Sequence, residues 1–447
     1  MINSEEIQLV QHTLQTALNL GAQKARASLS KSCENLVSTL DARTDKITRC
    51  EDCSLSLSLF VDSRYGSFST DRMEAESLEK FVAKAVDLTR MLACDPCRDL
   101  PDPSRCCRNA VTGLECGIFD PDLESTPPEE RIRRALAASV TGKSAARGPG
   151  FKLISEEGEY SDSTYDLYTA DTQGLECRHM ETCLDYGVEV TLEDARGDKY
   201  SGYWWESSPF ASRFDPSGCG EKAVQRAAAS IGAGPVKGGR YNMVVDTEVA
   251  SKMISPVLRA LSGYEIQQNN SFMAGTLGTR ALPQGLTLTD EPLIPGQTGS
   301  KLFDSEGVAT APAPIIERGV VKRYFLNTYI AAKMQMAPTS EEATRPKLHG
   351  WPREGLLRDD ILQMCGDGIL VTDFNGGNSN SATGDFSYGI EGFLFKGGKI
   401  VRPVSEMLIT GNFLKLWQGF VAAGSDARSC MSKLIPTLAF SNVDFNG

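Results

Sequence analysis

Histidine is nearly missing from this chain of 447 residues: His12, His179 and His349 are the only three, and no two of them can share a helix face. That scarcity removes the imidazole base a serine triad relies on, and the paired imidazoles of most hydrolytic zinc sites. No stretch approaches the roughly 20 apolar residues that span a bilayer. The opening Met1-Ile2-Asn3-Ser4-Glu5-Glu6 also lacks the basic cluster and apolar block of a secretory leader, so a cytoplasmic protein without membrane contact is expected. Positive charge is in deficit, with 46 Lys and Arg against 58 Asp and Glu for a net −12. The acids are scattered, and the resulting field repels phosphate backbones, which disfavours nucleic acid as a partner. Cysteine is not scarce, but thirteen is an odd count at irregular spacing, which fits reduced thiols better than a disulfide framework.

A chain this long exceeds what one hydrophobic core usually supports, so two domains are expected. Ser4 is a candidate N-cap for a first helix with Glu5 and Glu6 in its first turn and Ile7, Val10, Leu14, Ala17 and Leu18 at helical spacing. Ser54-Leu55-Ser56-Leu57-Ser58-Leu59 alternates with period two, the mark of an antiparallel strand with one buried face. Leu78, Phe81, Val82, Ala85 and Leu92 mark a second helix, and Thr126-Pro127-Pro128-Glu129 opens a third with a capping box. Val188, Val190 and Leu192 alternate along another strand. A helix with Val224 and Ala227 to Ala229 then runs into Gly232-Ala233-Gly234-Pro235, where the domain boundary is placed, giving domains 1–234 and 235–447.

The second domain opens with Met243-Val244-Val245 and a helix carrying Val249, Met253, Val257 and Leu261. Strand and turn patterns dominate beyond it. Ile315-Ile316 and Val320-Val321 flank Glu317-Arg318-Gly319, and Phe393-Leu394-Phe395 and Ile400-Val401 flank Gly397-Gly398, both read as hairpins. The expected class is α+β: N-terminal helices on a mainly antiparallel sheet, then a strand-rich domain with few helices.

Several constellations invite chemistry. Cys50-x-x-Cys53 is placed at a strand-turn-strand junction, while Cys94-x-x-Cys97, Cys106-Cys107 and Cys116 fall in a loop, so zinc-type pairs at those spacings do not converge on one site and incidental thiols are the better reading. Gly384-Asp385-Phe386-Ser387-Tyr388-Gly389 has glycine three residues before serine, where a nucleophile elbow needs two. Asp304 and Glu306 on a strand would face one side about 6.8 Å apart, near the spacing of paired glycosidase carboxylates. Followed by Gly307, they fit a turn whose carboxylates accept backbone N–H groups better. The loop Asn375 to Ser381 lacks the Lys-Ser/Thr pair of a phosphate cradle. Tyr203-Trp204-Trp205 alternates on a strand, which would bury at least one ring.

Phe303 to Gly307, Gly319 with Tyr324 downstream, Thr383 to Ser387, Gly392, Pro403-Val404-Ser405, Gly411-Asn412 and Cys430, shortly before a closing strand containing Pro436, resemble in order and spacing the TldD/PmbA family of peptidases. The resemblance extends over nearly the whole chain. It implies a cytosolic heterodimer that cleaves unfolded or leader-bearing peptides, in which the TldD-type subunit binds zinc through a His-Glu-x-x-x-His helix and a late cysteine. The PmbA or TldE type lacks those histidines. Here the corresponding stretch reads Met253-Ile254-Ser255-Pro256-Val257-Leu258, and Cys430, matching the family's zinc cysteine, would be one ligand where a catalytic site needs three.

The resemblance therefore implies a non-catalytic subunit with no cofactor of its own, partnered by a TldD-like zinc-binding chain, or by itself when isolated. The family's label as a modulator of DNA gyrase would reflect peptide toxins of gyrase rather than DNA contact. The second domain is expected to help wall a chamber for an extended peptide held by strand addition, with Asp304, Glu306, Gly307, Thr383, Gly384, Asp385, Ser387 and Tyr388 as candidates for shaping it. An autonomous hydrolase using Asp304 and Glu306, and a scaffold with no peptide contact, are the alternatives.

Overall fold

The computed structural model describes residues 1–148 and 150–447. The cap of helix α1 (Ser4–Asn19) lies one residue before the expected Ser4: Asn3 accepts from the Glu6 N–H, and the Glu6 carboxylate accepts from the Asn3 N–H in return. Strands β1 (Lys24–Leu40), β2 (Arg43–Val61) and β3 (Arg64–Thr70) follow, then α2 (Ala75–Arg90) and α3 (Pro128–Ala137). Leu92 lies past the end of α2 and is exposed. Pro128 occupies the first turn of α3 as expected, but the Thr126 capping box does not form. Proline at N1 shifts the cap to Pro127, which has no side-chain acceptor, and the Thr126 carbonyl instead accepts from the Arg131 guanidinium.

Strands β4 (Arg147–Gly148), β5 (Phe151–Asp171), β6 (Glu176–Asp194) and β7 (Lys199–Ser208) and helix α4 (Cys219–Ala229) complete the first half. The antiparallel sheet runs β3-β2-β1-β5-β6-β7. Leu55, Leu57 and Leu59 are fully buried and pack into one cluster with Val10 and Ala17 of α1 and Val82 and Val86 of α2. Each contributes about 1.5–3 kcal/mol of apolar burial. Helices α3 and α4 cover Val37, Tyr160, Tyr186 and Val188 further along the same face. Helix α4 comes this close because Gly202 has no side chain: a Cβ there would sit 2.2 Å from the Ala223 carbonyl oxygen. With helices on one side only, the opposite face keeps an open concavity at the β1-β5-β6-β7 end.

The segment holding Gly232 and Pro235 carries no helix or strand. Beyond it come β8 (Gly239–Val245), α5 (Ser251–Ala260), α6 (Gly263–Gln267), β9 (Leu288–Asp290), β10 (Ala313–Glu317), β11 (Val320–Val321), α7 (Thr328–Met334), β12 (Pro346–Leu348) and α8 (Arg358–Cys365). The chain then forms β13 (Gly368–Asp373), β14 (Gly377–Ser379), β15 (Asp385–Lys396), β16 (Lys399–Asn412), α9 (Phe413–Gln418), β17 (Phe420–Ala423) and β18 (Leu438–Asn446). Pro436 therefore precedes the closing strand rather than lying in it.

Strands β11-β10-β9-β12 make a small sheet, while β13-β8-β18-β16-β15 close on themselves because β15 also pairs with β13. Closure into a barrel removes free edges along those strands. Both expected hairpins form, with positive φ at Arg318 (48°) and Gly319 (79°) and at Gly397 (55°) and Gly398 (72°). Met253, Ile254, Val257 and Ala260 of α5 are buried in the same core as Val245, Ile369, Val371, Ile390 and Ile409. No helix among the described residues is long and apolar enough to cross a membrane.

Candidate functional site

The Phe303–Gly307 segment is a turn, not a strand. Asp304 Oδ1 accepts from the N–H groups of Glu306 and Val308, both at 3.0 Å, and Oδ2 accepts from the Glu341 N–H at 3.3 Å. Glu306 points elsewhere, its Oε2 accepting from the N–H and hydroxyl of Thr328 at 2.8 and 2.9 Å at the start of α7. The two carboxylates are thus committed to backbone at separate places, and the same-face carboxylate pair of the hydrolase alternative does not form. Burial and the nearby Glu306 charge push the Asp304 carboxyl up to about 6, against the pull of its backbone donors. Gly307 has φ +74°, its carbonyl accepts from the Cys107 N–H, and a Cβ would meet Leu175 at 2.4 Å, so this turn is the seam between the second domain and the first.

Thr383 to Tyr388 folds elsewhere, leading into the start of β15. The Thr383 hydroxyl donates to Asp385 at 2.8 Å, and the Asn412 amide donates to Asp385 at 2.9 Å and to the Thr383 carbonyl at 2.8 Å. The Phe413 N–H donates to the Gly384 carbonyl at 2.8 Å. Hydrogen bonds from Asn412 and Thr383 hold the exposed Asp385 carboxyl below the usual range. Gly384 (φ +80°) lies over the Phe272 ring, which stacks on Phe413, and Phe386 stacks on Tyr388 and meets Phe413 at a tilt. Ser387 pairs across to Asn378 of β14. Thr383-Gly384-Asp385 and Gly411-Asn412, separate in sequence, are one interlocked corner. This corner and the Asp304 turn share none of these neighbours.

A groove of about 490 Å³ runs between α5 and this corner, walled by Lys252, Ser255 and Pro256 on the helix side and by Phe374, Ser381 and Tyr388 opposite. The helix face that could carry metal ligands is otherwise furnished. The Lys252 ammonium lies 5.0 Å from the Tyr388 ring centroid, and Ser255 accepts from Lys433 at 3.1 Å. Both carboxylate oxygens of Glu248, just before α5, accept from Arg428 Nη1, at 3.1 and 2.9 Å. Arg428 also donates to Glu206 and to the Trp205 carbonyl, each at 2.8 Å, and its guanidinium stands 4.4 Å from the Trp205 ring. Burial raises the Cys430 thiol despite Arg428 beside it. A fixed guanidinium beside Cys430 repels a second cation, and this setting does not fit a zinc ligand set. Among the described residues no group of three or more His, Cys, Asp or Glu side chains is arranged to hold a metal ion.

The first-domain cysteines disperse. Cys50 and Cys53 lie within the 19-residue β2, not at a strand-turn-strand junction, because the strand runs straight through. Cys106, Cys107 and Cys177 are buried beneath Phe303, and the Cys177 thiol donates to the Cys107 carbonyl at 3.3 Å. None of the rings of Tyr203, Trp204 and Trp205 is fully buried, since β7 is the sheet's edge strand; Tyr203 is 50% exposed. They line a cleft of about 570 Å³ between the domains together with Arg226 and Arg358. This cleft meets the α5 groove at Glu248, Val249 and Asp373, and meets the open face of the first sheet at Tyr203 and Trp205. The α5 groove and the cleft adjoin as one trough, which the open face of the first sheet reaches only around the edge strand β7. Sequence alone singled out its Tyr388 end and treated the aromatic triplet as core.

Residues 238–447 match the PmbA/TldA metallopeptidase C-terminal domain, and residues 121–231 match the central domain of the same family. The Escherichia coli O157:H7 protein named metalloprotease PmbA is 26% identical over 442 residues, 96% of this chain and 95% of its own length. A crystal structure from Bacteroides thetaiotaomicron, described as a candidate modulator of DNA gyrase, is 38% identical, covers all of both chains and superposes with a TM-score of 0.93. The structure of TldE from Thermococcus kodakarensis, at 18% identity and a TM-score of 0.83 over 98% of this chain and 100% of that one, shares the fold.

Proposed function

Because the chain belongs to the PmbA/TldD metallopeptidase family, we propose that it is the zinc-free subunit of a peptide-processing complex, paired with a TldD-type chain that carries the metal. The observation that carries this reading is the furnishing of the α5 groove: a lysine, a serine and a proline line its helix side, and of its two carboxylates Glu248 is held by Arg428 and Asp373 accepts from the Phe374 N–H. Such a wall binds and orients a chain, but its helix side carries no set of side chains that would hold a Lewis acid. The trough that continues from this groove past Trp205 supplies length for an extended peptide, and the corner at Thr383 to Tyr388 shapes one end of it. Asp304, Glu306 and Gly307 serve the seam between domains instead, which supports a structural role for them.

The test is turnover of an unstructured peptide by three preparations: this chain, a TldD-type subunit, and the two mixed. Hydrolysis is expected only where the zinc-bearing subunit is present, is stimulated by this chain, and stops on chelation. Turnover by this chain alone that survives chelation would overturn the proposal.

A further inference from the structure

We infer that Cys107 and Cys177 form a dithiol that a hydroperoxide oxidises to an intrachain disulfide. The two sulfurs come from different elements, Cys107 from the loop between α2 and α3 and Cys177 from β6. The loop is hydrogen-bonded along β6: the Arg178 N–H donates to the Ala110 carbonyl at 2.8 Å and the Met180 N–H to the Gly113 carbonyl at 2.9 Å. That pairing holds Cys107 over Cys177, whose thiol donates to the Cys107 carbonyl at 3.3 Å and lies in hydrogen-bonding contact with the Cys107 thiol. Sulfurs in contact are within reach of a covalent bond.

The surroundings divide the pair into a nucleophile and a resolving thiol. The Cys177 thiol beside it, together with the N–H groups of Asn109 and Ala110, draws the Cys107 thiol down against the effect of burial. The same contact and burial push Cys177 up, so the proton stays on its sulfur. By contrast, burial pushes the thiols of Cys116, Cys183 and Cys219 up, which leaves them unreactive.

The Cys107 thiolate attacks one oxygen of hydrogen peroxide: an S–O bond forms, the O–O bond breaks, and hydroxide leaves and takes a proton from solvent. The Cys177 sulfur then attacks the Cys107 sulfur, the S–S bond forms, the S–O bond breaks, and the hydroxyl departs as water with the Cys177 proton. The two thiols lose two electrons, which reduce one peroxide to two waters. Both residues are 1% exposed, so reaction takes a local opening and favours a small oxidant. The bond closes beneath Phe303, and the Cys107 N–H already donates to the Gly307 carbonyl at 2.9 Å, so it ties β6 through the loop to the seam with the second domain. Neither cysteine lines the trough, and the inference stands apart from the peptide-handling reading.

The experiment treats the reduced wild type, freed of reductant, with hydrogen peroxide, blocks remaining thiols with N-ethylmaleimide under denaturing conditions, and digests without reduction. Mass spectrometry is expected to show peptides joined through Cys107 and Cys177, lighter by two hydrogens than their reduced parts and released by dithiothreitol, ahead of any other disulfide. The oxidised protein is expected to melt above the reduced one, because the bond closes a loop between residues 70 apart in sequence. In Cys177→Ser, dimedone is expected to trap a sulfenic acid on Cys107, since the resolving thiol is gone. The wild-type result decides alone if that variant does not fold. Recovery of Cys107 and Cys177 as maleimide adducts after a dose that has oxidised the exposed Cys50 and Cys94, or a link from Cys107 to another cysteine in place of Cys177, overturns the inference.

Discussion

Asp304 shows how a residue that looks catalytic in sequence is claimed by its own backbone. Its carboxylate closes a turn through three N–H donors, yet burial raises it to about 6. The sign follows from linkage. A carboxyl raised in the folded state costs stability once it must ionise, so stability falls as pH rises from about 4 to about 6 and the loss is complete above that. In Asp304→Asn this decline should shrink, because asparagine keeps an acceptor for Glu306 and Val308 without a proton to lose. Urea denaturation across that pH range measures it, and an unchanged pH profile would contradict the assignment. Gly392 is a second single-residue constraint: it lies where β15 pairs with β13, and a Cβ would come within 1.9 Å of the Leu370 carbonyl oxygen. Since backbone must move to admit it, Gly392→Ala should cost about 3 kcal/mol or more in chemical denaturation.

At the scale of elements, the corner joining β15, β16 and α9 depends on Asn412. Its amide bridges Thr383 and Asp385, and its carbonyl oxygen accepts from the Leu414 N–H to cap α9. Asn412→Ala should destabilise the protein by about 1–2 kcal/mol. It should also let the Asp385 carboxyl rise toward the ordinary range, readable by NMR titration; an unmoved Asp385 would mean the amide does not hold it.

The hairpins at Arg318-Gly319 and Gly397-Gly398 and the buried face of Leu55, Leu57 and Leu59 were legible from local pattern, because turn chemistry and period-two alternation act over a few residues. The cap of α3 was not, since either Thr126 or Pro127 could stand before Pro128 and only the fitted Arg131 contact decides. Nor was the thiol pair. Cys107 and Cys177, 70 residues apart in sequence, become neighbours only where the loop packs against β6.

Across the whole molecule, Arg428 ties the domains. It reaches Glu248 in its own domain and Glu206 in the other, 222 residues away in sequence. Removing Arg428 leaves the buried Glu248 carboxylate uncompensated, while Glu206 keeps Lys222, so Arg428→Met should cost about 3 kcal/mol. It should also speed amide exchange in β7 and around Glu248 ahead of the rest of the sheet. Uniform exchange throughout would show that the clamp does not couple the domains. The same guanidinium stands beside Cys430, which the family resemblance matches to a zinc cysteine without its partner histidines.

Zinc titration by calorimetry of the purified chain and of its Cys430→Ser variant therefore tests the central claim most directly. The account predicts that the two are indistinguishable, with no zinc bound that depends on Cys430. One equivalent of zinc bound tightly by the wild type and lost in Cys430→Ser would contradict it.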